Sequence, residues 1–384
     1  MIFIDLTKAF DSVNRQGLWQ VLSKIGCPDK FVKIIASFHE GMQGQVIDGG
    51  ELSDMFAVTN GTKQGCILAF LLFSIFFSMM LLIAFKDCDL GVPIQFRTDS
   101  NIFNLGRFQA RTKTSLAVIR DLLYADDCAL AARSLADAQQ LFDRFHAAAV
   151  RFGLTVSLKK TEVMLQPASH STSAQPVIKV EDTSIKAVDK FCSILTSYAV
   201  VTNDISARLS KASSAFDRLS KRLWNDHGIR LDTKIAVYKA TILTSLPYGC
   251  ELWVLGQHIV KLDQFHMRCL RRIATVRWQD KKPNTEVLQI CGISGIEAFL
   301  LSAQLRWTGH IICMSENRLP KQVFYGQLEH GTCLHGGQQK RYKDMLKSNL
   351  KACSIALNQL ETLAHDRSLW HTLCKVSVQQ FESG

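Results

Sequence analysis

Residues 66–85 read CILAFLLFSIFFSMMLLIAF, twenty positions without a charge, with Lys63 and Lys86 outside them. A run of that length has to hide most of its surface. It meets the length rule for a transmembrane helix, and a hydropathy window marks it as one. The other solution is a helix buried against a sheet inside a protein core. Hydrophobic residues make up 47% of the 384 and charged residues 21%, so a sizeable core is within reach and global disorder is not expected.

The second constraint is chemical. Tyr124-Ala125-Asp126-Asp127 lies between two apolar runs, Asp121-Leu122-Leu123 and Cys128-Ala129-Leu130-Ala131-Ala132. That pattern predicts a β-hairpin with adjacent carboxylates at its tip. Successive side chains on extended backbone face opposite ways, so one acid can enter a site while the other faces sideways. Neighbouring acids raise each other's pKa unless a cation neutralises them, and hard divalent ions favour carboxylate oxygens. An Asp-Asp pair alone is more often a solvated turn. Met1-Ile2-Phe3-Ile4-Asp5 adds a short buried strand ending in an acid, although Asp5 alone would pass for a helix N-cap. A strand-end Asp with a hairpin Asp-Asp is the minimal set for two-metal phosphoryl transfer.

Four segments in one order then resemble the reverse transcriptases of LINE-type (non-LTR) retrotransposons. Phe3-Ile4-Asp5-Leu6-Thr7-Lys8-Ala9-Phe10-Asp11 is similar to motif A, and Asn60-Gly61-Thr62-Lys63-Gln64-Gly65-Cys66 to motif B. Leu123-Tyr124-Ala125-Asp126-Asp127 is similar to motif C. Phe152-Gly153-Leu154-Thr155-Val156 with Lys159-Lys160-Thr161-Glu162 is similar to motif D. The likeness continues through Arg208-Leu209-Ser210-Lys211-Ala212 and Tyr248-Gly249-Cys250-Glu251-Leu252-Trp253 to Gln304-Leu305-Arg306-Trp307-Thr308-Gly309-His310.

The resemblance implies an α+β fold: a right-hand polymerase palm with a ferredoxin-like antiparallel sheet and helices, then a helical thumb and a helical C-terminal region. The implied domains are 1–200 for the palm, 201–280 for the thumb and 281–384 for a tail of unknown role. It implies RNA-directed DNA synthesis on an RNA template from a DNA primer, with deoxynucleoside triphosphates as substrate and two Mg²⁺ ions, or Mn²⁺, as cofactor. Asp5, Asp126 and Asp127 would be the metal ligands and Lys160 would assist the leaving group. Phe10 would be the floor under the incoming sugar, leaving no room for a 2′-hydroxyl. Gln64 and Gly65 would let backbone approach the template base pair, with Tyr124 beside the acids. Motif B also places a helix at 66–85, so a core helix is expected there and a membrane anchor is the rival.

The sequence departs from the family in several places. It opens directly on motif A, without the basic fingers region the family carries before it, so an N-terminal truncation and a second chain supplying fingers are expectations. Leu68-Ala69-Phe70 has phenylalanine where the family carries a proline that fits a first helical turn. Phe191-Cys192-Ser193-Ile194-Leu195 lacks the tyrosine and glycine of the primer-grip hairpin, and Ser157 replaces a commoner Asn in motif D. A catalytically inactive remnant that binds nucleic acid through a basic thumb is therefore the alternative reading.

The remaining expectations come from pattern and charge. Helices are predicted over 15–25, with Leu18, Val21, Leu22 and Ile25 on one face, and over 29–40 and 132–152, with Leu135, Ala138, Leu141, Phe142, Phe145 and Ala149 as core. Short strands are expected at 177–180 and 184–187, and an exposed polar loop at 166–175. Ile205, Leu209, Ala212, Phe216 and Leu219 make one apolar helix face. Arg208, Lys211, Arg218, Lys221 and Arg222 lie largely off it, where they could track a phosphate backbone. Helices follow over 233–246 and 258–275. The excess of 45 Lys and Arg over 34 Asp and Glu suits a polyanion partner. Twelve scattered cysteines without a Cys-x-x-Cys, and no signal peptide, read as reduced intracellular thiols. His310, Cys313, Cys333 and His335 could form a zinc set, but their spacing favours unlinked residues.

Overall fold

The structure, a computed structural model, describes residues 1–62, 66–99, 101–166, 175–180, 183–191, 195–196, 201–254, 258–329 and 341–383. The chain divides into two compact units. One joins Met1–Pro93 to Val118–Phe191; the other joins Ile94–Ala117 to Cys192–Gly384.

The first unit is built on a five-stranded sheet. Its strands are β1 (Ile2–Ile4), β2 (Asp121–Tyr124), β3 (Asp127–Leu130), β4 (Glu162–Val163) and β5 (Lys186–Ala187), in the order β5-β4-β1-β3-β2. The expected antiparallel sheet is found except at one edge, where β5 runs parallel to β4. Alternation sorts the faces: Ile2, Ile4, Cys128 and Leu130 are buried in the core, while Asp127, the residue before Cys128, is exposed.

Three helices bury that core face: α1 (Arg15–Lys24), α3 (Ile67–Ala84) and α4 (Leu135–Arg151), with α2 (Asp29–Ser37) beside α1. Polar caps start two of them, because the first turn of a helix has unpaired N–H groups. Asn14 accepts from Gly17 N, and Ser134 from Asp137 N. Leu18 and Leu22, Phe73, Phe76, Phe77 and Met80, and Leu141, Phe142 and Phe145 fill one hydrophobic cluster. Two expected core positions lie outside it. Ile25 is the C-cap of α1 and Leu135 the first residue of α4, and both are exposed because each sits at a helix end.

The uncharged run does form a helix, and it is buried along one side. Leu72, Phe73, Phe76, Phe77, Met80 and Leu81 face the cluster, whereas Ile67, Leu68, Phe70, Leu71, Leu82 and Ile83 are exposed. By length and composition α3 could cross a membrane; 44% of it is buried within the unit.

The second unit is mostly helical. Its principal helices are α5 (Val201–Arg218), α6 (Leu231–Ser245), α7 (His258–Ile273), α8 (Asn284–Cys291), α9 (Ile296–Ile312), α10 (Tyr342–Ala352) and α11 (Arg367–Ser383). One cluster gathers α5 to α8 around Trp224, Tyr238, Ile242 and Leu270; a second gathers α9 to α11 around Leu305, Leu350 and Trp370.

Residues 94–117, expected inside the 1–200 palm segment, are grouped instead with this unit. The reason is physical: Ile102 is fully buried in the second cluster, Ile102 N donates to Glu361 Oε1 (2.8 Å), and Arg107 donates to Tyr325 O (2.8 Å). Gln95 and Ile94 also pair antiparallel with Gln327 and Leu328.

Candidate active site

Strand register brings the acids together. In the β1–β3 ladder Ile2 faces Leu130, Phe3 faces Ala129 and Ile4 faces Cys128. One step further along the same register sets Asp5 across from Asp127. The β2–β3 hairpin closes with Tyr124 opposite Asp127, leaving Ala125 and Asp126 as its two-residue loop. Ala125 holds a left-handed backbone at φ 56°. For a residue with a Cβ that costs about 1–2 kcal/mol, and the paired strands on both sides sustain it.

The proximity has an electrostatic consequence. The Asp127 carboxyl is raised above its ordinary pKa by burial, then by the charges of Asp126 and Asp5. Asp5 leaves β1 with its backbone fixed twice: its N–H donates to Thr161 Oγ1 (3.4 Å) and its carbonyl accepts from Ser157 N (2.8 Å). Its Oδ1 is buried, makes no hydrogen bond and lies 3.5 Å from Lys160 Nζ. A carboxylate oxygen without a hydrogen bond, whose counter-charge is a mostly exposed lysine, beside two further carboxylates, is a chemistry that a hard divalent cation satisfies. The acids are not drawn into a finished ligand cluster: among the described residues, no group of three or more His, Cys, Asp or Glu is set to hold a metal ion. Lys160 is 71% exposed at its side chain, so this counter-charge sits on a free arm at the rim.

Phe10 lies five residues after Asp5 in sequence and is held from below. Its ring packs on Phe73 of α3, with centroids 4.5 Å apart. Its carbonyl accepts from Thr62 N (2.9 Å), and Gly61 N donates to Val13 O (2.8 Å), so the start of motif B lies on the backbone of motif A. The approach is close enough to require glycine. A Cβ on Gly61 would lie 2.7 Å from Asp11 Cα, and its φ is +82°. Gln64 and Gly65 lie outside the described residues. Tyr124 is 82% exposed at the hairpin tip.

One residue that sequence reasoning did not single out holds this arrangement. Arg15 donates from Nε to Gly61 O (2.9 Å), from Nη1 to His39 O and Val58 O (both 2.8 Å), and from Nη2 to Asn60 O (3.1 Å). No motif pattern marks an arginine whose partners are main-chain carbonyls and a thioether sulfur.

The expected nucleic-acid residues divide. Lys211, Arg218, Lys221 and Arg222 are exposed. Arg208 is a correction: it is buried, with Nε on Asp204 Oδ1 (2.9 Å) and its guanidinium over the rings of Tyr248 and Trp253. Trp253 Nε1 donates to the other Asp204 oxygen (3.1 Å), and Gln304 Nε2 donates to Cys250 O and Trp253 O (both 3.1 Å). Asn349 Nδ2 donates to Gln304 Oε1 (2.6 Å). The three motif-like segments beyond residue 200 thus meet in one buried polar network, which gives Arg208 a structural task.

Of the residues weighed for zinc, Cys313 donates its thiol to Ala364 O (2.9 Å) and His310 packs beside Trp307. Cys333 and His335 lie outside the described residues, as do 192–194 of the primer-grip segment and most of the expected 166–175 loop.

Comparison with known proteins gives three findings. The model of the family described as reverse transcriptase (RNA-dependent DNA polymerase) matches residues 1–191. The "Probable RNA-directed DNA polymerase from transposon X-element" of Drosophila melanogaster is 24% identical over 292 residues, covering 72% of this chain. The "RNA-directed DNA polymerase from mobile element jockey" of Drosophila funebris is 23% identical over 292 residues, with the same 72% coverage. The chain spans only 28% of the length of each relative.

Proposed function

With residues 1–191 belonging to the reverse transcriptase family, in its LINE-type (non-LTR) branch, we propose that this chain contributes the palm and thumb of an RNA-directed DNA polymerase. It adds deoxynucleotides to a primer 3′-end on an RNA template. The observation that carries this reading is the strand register that, continued one step past Ile4 and Cys128, brings Asp5 to Asp127 beside Asp126; burial first, and then the charges of Asp126 and Asp5, raise the Asp127 carboxyl.

In this reading Asp5, Asp126 and Asp127 hold two Mg²⁺ ions, with Mn²⁺ as a substitute. Bound there, the metals supply activation of the primer hydroxyl and neutralisation of the triphosphate. The chain's own residues do the rest. Phe10, backed by Phe73, fills the space a 2′-hydroxyl would need. Lys160 brings a proton or positive charge to the leaving group from an exposed arm. Lys211, Arg218, Lys221 and Arg222 offer cations to the phosphate backbone of the duplex.

The test is extension of a DNA primer on an RNA template in Mg²⁺, with Asp126→Asn beside the parent chain. Extension should fall about a thousandfold or more in the variant, with its far-ultraviolet dichroism unchanged. Undiminished extension by Asp126→Asn would sink the metal assignment. A folded parent chain that binds primer–template without extending it would favour a binding remnant.

A further inference from the structure

We infer that Arg15 is a positioning residue for nucleotide selection, fixing segment 58–62 against motif A and thereby setting the floor beneath the incoming sugar. The inference rests on the polymerase reading above and adds to it a residue that touches neither substrate nor metal.

Arg15 opens α1, whose first turn is pinned by the Asn14 cap and packed on α3: a Cβ on Gly17 would lie 3.6 Å from the Phe76 ring. From that fixed base the guanidinium reaches four carbonyls, at His39, Val58, Asn60 and Gly61, and lies 3.3 Å from Met42 Sδ. None of these partners is an acid. A cation held by carbonyls and a thioether gains no ion pair, so its use here is geometric; burial pulls its pKa down from the ordinary value. The planar fork of donors suits this task, while a lysine could serve only one or two of the same carbonyls.

What is gripped decides the consequence. Gly61 and Thr62 donate to Val13 O and Phe10 O, so the segment held by Arg15 in turn holds the main chain on either side of Asp11. Phe10 is then trapped between that backbone and Phe73. Losing the grip frees segment 58–62 and lets the Phe10 ring shift, while Asp126 and Asp127 stay fixed by their own hairpin. Nucleotide fit should suffer more than turnover.

The experiment compares the parent chain with Arg15→Ala and Arg15→Lys by amide hydrogen exchange at Gly61 and Thr62, and by steady-state incorporation of deoxy- and ribonucleotides. In Arg15→Ala, exchange at both amides should quicken about tenfold or more. KM for the deoxynucleotide should rise about tenfold with a smaller change in kcat, and discrimination against ribonucleotides should weaken. Arg15→Lys should fall between, and it carries the test should Arg15→Ala not fold. Unchanged exchange in the folded variants overturns the inference, as does a fall in kcat with KM and sugar discrimination unaltered. An inactive parent chain would instead defeat the polymerase reading, and the exchange measurement would still decide whether Arg15 holds the segment.

Discussion

Asp127 is charged at a cost. Burial and the charges of Asp126 and Asp5 raise its folded pKa, so the unfolded chain gives up this proton first. Stability contributed by the protonated form is therefore lost as pH rises through the window above the ordinary carboxylate value. In metal-free solution at neutral pH, Asp127→Asn should raise the thermal midpoint by about 2 °C or less, because the group is solvent-screened. In the parent chain, added Mg²⁺ should raise the midpoint and the variant should respond less; equal responses would remove Asp127 from the ligand set. His266 titrates to the opposite effect. It is fully buried, with Nδ1 2.9 Å from Tyr238 Oη and Nε2 3.2 Å from Ser294 O, and burial lowers its pKa. A neutral ring satisfies both contacts: Nε2–H donates to Ser294 O and Nδ1 accepts from Tyr238. Stability is thus present above the imidazole's ordinary 6.5 and is lost as pH falls below it. Thermal melts from pH 7.5 down to about 5 should show this loss, and His266→Gln should flatten it. The strand that ends before Asp5 and the hairpin that carries Asp126 and Asp127 were legible in alternation and a turn signal; what singled these acids out was the order of the four motif-like segments. Arg15 and the burial of Arg208 were not legible, since a side chain's partners across the fold leave no local period.

At the scale of elements, the pattern of the sequence read well wherever burial is one-sided. The predicted helix at 15–25 is α1 over Arg15–Lys24, and that at 132–152 is α4 over Leu135–Arg151. The run at 66–85 was ambiguous because its apolar residues surround the whole helix, so no period told its packed side from its open one. The segment Gln304 to His310 shows the same limit in another form. Gly309 lies mid-helix in α9, where propensity disfavours it. Its reason comes from α11: a Cβ there would lie 2.1 Å from Trp370 Nε1, and that indole donates to Leu305 O (3.1 Å). Gly309→Ala should destabilise the second unit by about 1–3 kcal/mol through overpacking, read from urea unfolding. An unchanged midpoint would mean that α11 can slide on α9.

Over the whole molecule, motif order told the mixed helix–strand class and the reverse transcriptase family, but not how the chain is shared between units. Ile94–Ala117 leaves the first unit after α3 and returns just before the hairpin that carries Asp126 and Asp127. Nothing in its own composition says that its partners lie near residues 327 and 361. Ile102→Ala should therefore unfold the C-terminal unit more readily, by about 2–4 kcal/mol, although it lies in the first third of the sequence. Domain-resolved proteolysis would show this as earlier cleavage within 201–383; loss of protection confined to the first unit would contradict it.

That shared segment also sets a clock. Ile102 reaches Glu361 across 259 residues of chain. At a ribosome adding about 5–20 residues per second, Ile102 and Phe103 wait roughly ten to fifty seconds for their partners to emerge. Through that interval Ile102 and Phe103 stay uncovered on a nascent chain whose N-terminal strands and helices are already free to pair. Ribosome-bound chains stalled before residue 361 should therefore bind a hydrophobic-surface dye more than the released protein does, and Ile102→Ser should lessen that binding.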